Sequence, residues 1–418
     1  MSSNYTPNFN ANWQKTDLHS LAGWINGLAF KNIHFEENAK FPIIKINELK
    51  YGITNQTAFT NQIFDNNYKV FKGDLLFSWS GSPETSIDAF WYDLEDGYLN
   101  QHIFKVVPKE YVTADFIYYL LKYIKPEIIR IAKDKQTTGL GHITQGDMKN
   151  FIVSYPTITE QNKIVSYIKS IDEKIGNNLE TNQTLEEIAR TLFREWFINF
   201  NFPNTSGNLK QSEVGEIPES WCINSIGEIC YVQNGYAFKS KDFQEQGEIG
   251  IIKIKNISGN VVDIQNTDFV DASVVSFLDN KFKIESGSLL IAMTGAEVGK
   301  IGLVPLTNKS LWLNQRVGMF KEKIACGNLF IYLLLSSETY QNTIQNSASG
   351  SAQPNISASA IESIRTIIPP AELIEAFGKT VKPMFEKILD NLAENEILKT
   401  TRDSLLPKLM SGEIEVNG

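Results

Sequence analysis

The sequence predicts an α+β chain: two tandem β-rich units with short helices, each followed by a long helix, the two long helices able to pair. Three observations carry this. The chain repeats itself at an offset of 208–214 residues. The stretch 159–200 has one glycine, no proline and apolar residues at helical spacing. The same spacing returns 213 residues later with asparagines at the same two seam positions.

The repeat can be followed element by element. At offset 208, Trp13 matches Trp221, Asn26-Gly27 and Lys31 match Asn234-Gly235 and Lys239, and Ile43-Ile44-Lys45-Ile46 matches Ile251-Ile252-Lys253-Ile254. At offset 214, Gly73 matches Gly287 and Leu99-Asn100-Gln101 matches Leu313-Asn314-Gln315. At offset 213, Ile143-Thr144 matches Ile356-Ser357 and Pro156 matches Pro369. A period this long marks a duplicated domain rather than a solenoid. Each copy reads as a Trp-led entry, short β segments at 41–47 and 249–255, a Gly-initiated strand at 75–79 and 289–293, and one strand across 99–107 and 313–320. A helix follows near 114–133 and 328–345. A polar Gly/Thr/Ser loop leads to a last strand at 151–155 and 364–368. The segment 202–220, rich in Pro, Asn, Ser and Gly, is the linker.

The long helices read as heptads. Ile168, Ile175, Asn182, Ala189 and Trp196 form one seam of the first, and Ile171, Asn178, Leu185 and Leu192 the other. In the second helix Asn391 maps to Asn178 and Asn395 to Asn182, so matched polar layers favour pairing of the two. Forty helical residues span about 60 Å, the length of a spacer.

Composition narrows the function. At 418 residues two or more domains are expected, and 42% hydrophobic content supports real cores. No apolar run reaches membrane-span length and the N-terminus lacks a signal peptide's pattern. Three cysteines without a CxxC, and four scattered histidines, make a disulfide framework or metal centre unexpected, and a cytoplasmic location follows. A net charge of −9 argues against a simple nucleic-acid coating protein. Locally the balance shifts: residues 232–330 hold 11 basic and 10 acidic residues, a net of +1 by subtraction.

No catalytic signature is present. Gly295-Ala-Glu-Val-Gly299-Lys300-Ile301 is one residue short of a phosphate loop and has Ile where a Mg²⁺-ligating hydroxyl belongs, so it reads as a tight turn between strands. The repeated polar motifs are more informative. Asn100, Gln101 and His102 in one copy face Asn314, Gln315 and Arg316 in the other. Asn and Gln can pair with adenine and Arg with guanine in the major groove. Lys45, Lys239, Lys241, Lys253 and Lys255 can hold phosphates. The loops with Thr137 and Thr138, and with Ser349 and Ser351, offer hydroxyls to the same target. The shared Asn-Gln pair reads equally well as a structural turn cap. Residues that differ between copies are better candidates for reading sequence: His102 against Arg316, and Ser78-Trp79-Ser80 against Ala292-Met293-Thr294.

With these motifs assembled, the chain resembles the specificity (S) subunit of type I restriction–modification enzymes. The stretches carrying the likeness are Ile217-Pro-Glu-Ser-Trp221 with Ile226-Gly227-Glu228-Ile229, Gly287–Gly295 with Gly299-Lys300, Leu313-Asn-Gln-Arg316, and Pro156-Thr-Ile-Thr-Glu160-Gln161 with Ile164. It covers essentially the whole chain. Each motif alone is weak; their order, duplication and two spacer helices make the combination specific. The second copy departs with Pro370-Ala-Glu372-Leu373 in place of Glu160-Gln161, and the first with Ser80-Gly81-Ser82-Pro83 in place of the Gly-Lys turn.

The resemblance implies target-recognition domains at 1–157 and 217–369, spacer helices at 158–200 and 370–410, a linker at 201–216 and a tail at 411–418. It implies a pseudo-twofold repeat, the helices pairing as an antiparallel coiled coil. It further implies that each recognition domain reads half of a split double-stranded DNA sequence. The chain itself would be non-catalytic and hold no cofactor. Two methyltransferase (M) subunits would supply S-adenosylmethionine for adenine methylation, and restriction (R) subunits, where present, ATP and Mg²⁺ for cleavage. Phe193, Trp196 and Phe197 are expected to face outward as apolar surface for partner helices. Two alternatives stay open: a coiled-coil scaffold with ligand-binding β domains, and a stand-alone DNA-binding repressor.

Overall fold

Each half of the chain folds around two small sheets whose strands correspond between the copies, except that the second copy's mixed sheet gains a fifth strand, Phe243–Gln244. The computed structural model describes residues 9–37, 39–135, 139–257, 259–348 and 354–416. The chain divides into two units, residues 1–174 with 398–418, and residues 175–397. The divisions fall inside the long helices, Ile158–Phe197 and Ala371–Ser411, so each unit holds part of both.

In the first unit the central sheet is antiparallel, in the order Ala22–Asn26, Ile103–Pro108, Leu75–Ser78, Asp88–Trp91. A second sheet orders Phe59–Thr60, Phe41–Ile44, Gly97–Leu99 and Lys69–Val70, with Phe41–Ile44 parallel to Gly97–Leu99. Gln14–Asp17 pairs with Ile152–Tyr155, closing the unit's ends together. The second unit repeats the scheme: Cys230–Asn234, Val317–Glu322, Leu289–Ala292 and Ile301–Leu303 in one sheet. Its other sheet has Ile249–Ile252 parallel to Ser310–Leu313.

Apolar burial explains the layers. In the first unit Trp24, Phe77, Phe104, Phe116 and Leu120 form a core that also takes Ile164 and Ile168 of the first long helix and Leu409 of the second. In the second unit Leu289, Ile291, Phe320 and Phe330 pack with Ala189, Phe193, Phe377 and Val381.

Several sequence expectations need correction. The single strand across 99–107, and its copy across 313–320, is two strands in different sheets, broken at 100–102 and 314–316. The helix near 114–133 is two, Ala114–Tyr123 and Lys125–Asp134, because Pro126 at the second helix's start lacks the N–H that would continue the first. Its counterpart is likewise split into Gly327–Leu335 and Glu338–Ser347. The linker contains a hairpin, Leu209–Ser212 with Gly215–Pro218. Phe193 and Phe197 are not outward surface: they are 7% and 4% exposed, packed on Phe330 and Phe377, and Trp196 lies edge-on to Phe377.

Within the second unit the helix segments run antiparallel through two asparagine layers. Asn178 Nδ2 donates to Asn395 Oδ1 at 2.9 Å and Asn391 Nδ2 to Asn182 Oδ1 at 2.8 Å. Asn178, Asn391 and Asn395 are buried. In the first unit Arg402 on one helix donates to Asp172 on the other at 2.9 Å.

Candidate nucleic-acid interface

In each unit four backbone segments converge at the end of the central sheet where the Asn-Gln motif turns. In the first unit, Leu28 N–H donates to Leu99 O (2.8 Å), Trp79 N–H to His102 O (3.2 Å) and Ile143 N–H to Trp79 O (2.9 Å). In the second, Tyr236 N–H donates to Leu313 O (2.8 Å), Met293 N–H to Arg316 O (3.0 Å) and Ile356 N–H to Met293 O (3.0 Å). The duplicated hub is thus held by the same main-chain bonds in both copies, although several of its side chains differ.

The shared glycine makes the hub possible. A Cβ on Gly27 would lie 2.2 Å from Asn100 O, and one on Gly235 would lie 2.1 Å from Asn314 O. The asparagine carbonyls also accept from Ile103 and Val317 N–H, closing a tight turn in each copy. The backbones of Asn100 and Asn314 are therefore structural, whereas Gln315 and Arg316 present exposed side chains and Asn314 a half-buried one. In the first unit Gln101 Nε2 lies 3.3 Å from His102 Nε2. The His102 ring packs edge-on against Trp79, and desolvation there pulls its pKa below the ordinary histidine value, favouring a neutral imidazole at pH 7.

Other sequence candidates fall differently. Ser78 is wholly buried in its strand, and Thr294 is buried with its hydroxyl donating to Pro354 O at 3.0 Å, so neither presents a hydroxyl at the surface. Trp79 stacks on Phe104 and its indole N–H donates to Asn26 Oδ1 at 3.1 Å; Ser80 sits in a short strand opposite His142. These four are framework. Lys253 and Lys255 both pair with Asp268, at 2.5 and 2.7 Å, and the Lys253 ammonium lies 3.4 Å from the Phe243 ring centroid. Burial tends to raise the pKa of Asp268, but hydrogen bonds from the two lysines hold it below the usual carboxylate range. Lys45 begins a short helix with its ammonium 5.2 Å from the Phe35 ring centroid. Lys239 and Lys241 are exposed and remain the freest cations of the set. Thr137, Thr138, Ser349 and Ser351 lie outside the described residues.

The Gly295–Gly299 turn binds its own chain. Gly295 N–H donates to Pro354 O, Val298 to Gly295 O, Gly299 to Ala292 O and Lys300 to Glu297 O, so four of the loop's amides are spent within the chain. Among the described residues no cluster of His, Cys, Asp or Glu could hold a metal ion, and no helix is long and apolar enough to cross a membrane.

Sequence reading matched Asn26 to Asn234 but missed that it holds Trp79, and it missed a second matched turn. Asp65 and Asp279 cap equivalent turns by accepting from Asn67 N–H (2.8 Å) and Lys281 N–H (2.9 Å). That pair was legible, since Asp65-Asn66 and Asp279-Asn280 match at the same offset of 214 as the glycine strand.

The comparisons with known proteins agree with this duplicated design. A family model for the type I restriction modification DNA specificity domain matches residues 10–189 and again 218–403. The type I restriction enzyme MjaIX specificity subunit of Methanocaldococcus jannaschii is 29% identical over 323 residues, covering 76% of this chain and 73% of that protein. The HindI specificity subunit of Haemophilus influenzae is 24% identical over 406 residues, covering 82% and 87%. The crystal structure of the type I restriction–modification S subunit from M. genitalium superposes with a TM-score of 0.61 at 19% identity, covering 97% of this chain and 98% of that one. The family model spans most of the chain, once per copy, each copy containing one hub: the chain belongs to the family of type I restriction–modification DNA specificity subunits, whose two domains recognise DNA sequence.

Proposed function

We propose that each unit reads one half of a bipartite double-stranded DNA site, and that the chain acts as the non-catalytic specificity subunit docking two methyltransferase subunits. The observation that supports this best is the duplicated hub: one backbone, presented with Gln101 and His102 in one copy and Gln315 and Arg316 in the other. Identical scaffolds with different donors and acceptors suit two unlike half-sites. Arg316 is the candidate for guanine, Asn314 and Gln315 for adenine, and Lys239 and Lys241 for phosphates. The long helices set the gap between half-sites, because both readers must meet the duplex in the right groove phase.

In this reading the partners supply the chemistry. The methyltransferase subunits bring S-adenosylmethionine for adenine methylation, and restriction subunits, where present, bring ATP and Mg²⁺. The assembly works in the cytoplasm. The deciding experiment is methylome sequencing with and without the gene, in cells that retain functional methyltransferase subunits. Loss of one bipartite adenine-methylated motif is the expected result; an unchanged methylome would overturn the reading.

A further inference from the structure

Two large apolar side chains stand in solvent at matching places in the two copies. Ile63 is 76% exposed and Phe277 is 71% exposed. They align at the offset of 214 that also aligns the Asp65 and Asp279 turns beginning two residues later. Burying either on its own unit would stabilise the fold, yet both copies leave it out. A single exposed apolar residue needs no explanation; the same placement twice, with different residues, asks for one.

The chain following each residue is tied to segments that lead into the hub. Phe64, next to Ile63, lies 5.1 Å from Phe30 between ring centroids, and its N–H donates to Tyr98 Oη at 3.3 Å, two residues before Asn100. The turn after Phe277 carries Phe282, whose ring lies 5.7 Å from Tyr236. The next strand, Lys283–Ile284, pairs with Leu311–Trp312, just ahead of Asn314.

The setting of Phe277 indicates its partner. Leu278 and Phe282 pack on the same apolar cluster as Phe238 and Phe243, the residues flanking exposed Lys239 and Lys241. Lys281 on the turn and Lys283 at the start of the strand after it are exposed, with Lys281 Nζ 3.8 Å from Asp279 Oδ2. Protein interfaces are depleted in lysine, whereas surfaces that follow a phosphate backbone are rich in it. An apolar side chain on a surface that also carries exposed lysines suits a base face or base step flanked by phosphates.

We propose that Phe277, and Ile63 in the first unit, are apolar wedges pressed against base faces at the edge of each half-site. This rests on the DNA-reading function above. The test uses the full chain assembled with its methyltransferase subunits and a duplex bearing the bipartite motif found in the methylome. Phe277→Ala is expected to weaken binding about tenfold while leaving the salt dependence unchanged, because no phosphate contact is lost. Phe277→Trp is expected to retain wild-type affinity. Ile63→Ala should weaken the response to changes in the other half-site instead. Wild-type affinity in Phe277→Ala would overturn the proposal. So would a Phe277→Ala chain that no longer co-purifies with the methyltransferase subunits, since the residue would then be a subunit contact. If the wild-type complex binds no bipartite motif, the specificity-subunit reading itself fails, an outcome separable from the other two.

Discussion

Gly27 and Gly235 show how one missing atom shapes the hub. Gly27→Ala pushes a methyl group into the carbonyl of Asn100, and relieving that overlap is expected to cost roughly 1–3 kcal/mol, seen as a lower thermal midpoint. Arg316 lies at the opposite extreme: it is exposed, so Arg316→Ala should leave stability within about 0.5 kcal/mol of wild type. It should cost roughly 1–3 kcal/mol of discrimination at one half-site and none at the other, measured by binding to duplexes altered in one half at a time. Equal losses at both halves would refute its assignment. Ser78 gives the converse test. Its buried hydroxyl has no hydrogen-bond partner among the described residues, so Ser78→Ala should be neutral or slightly stabilising and leave recognition untouched.

At the scale of elements, the asparagine layers trade stability for register. Asn178→Leu leaves the buried Asn395 Oδ1 without its Asn178 donor and is expected to destabilise by roughly 1–3 kcal/mol in thermal unfolding. Changing both residues to Leu should recover much of that loss while weakening the single alignment. Asp88 supports a pH prediction in the first unit. Burial tends to raise its pKa, but Lys122 and Lys125, each 2.6 Å away, outweigh burial and hold it below the usual range, while burial lowers the pKa of Lys122. A depressed carboxylate stabilises the fold above its unfolded pKa and loses that contribution as pH falls through the folded value. Asp88→Asn should therefore melt below wild type at pH 7, with the difference shrinking as pH falls below about 4 towards the depressed folded value. Much of this layer was legible. The heptads and their paired asparagines followed from spacing alone, and the tandem sheets from the repeat. The break at 100–102 was not, because apolar residues on both sides mimic one strand. Nor was the burial of Ser78: all four residues of Leu75–Ser78 are buried, so alternation carried no signal. Phe193 and Phe197 showed an apolar face, but nothing local revealed that Phe330 and Phe377 cover it.

At the scale of the whole molecule, the continuous helix Ile158–Phe197 is the part that can be lengthened without touching either hub. Inserting one heptad, about 10 Å of helix, into it and a matching heptad into its partner should change the number of unread bases between half-sites. Methylome sequencing reads that number directly, and an unchanged gap would remove the spacer role.

The hub also bears on how such a protein can drift. Its connections run from main chain to main chain, so beyond the glycine that each copy requires they place little demand on the residues that carry them. His102 and Arg316 hang from equivalent carbonyl positions with no shared demand on their side chains. Under the proposed function, a mutation there would change which base is favoured without passing through an unfolded intermediate, and each half would explore new targets independently, along paths of nearly constant stability.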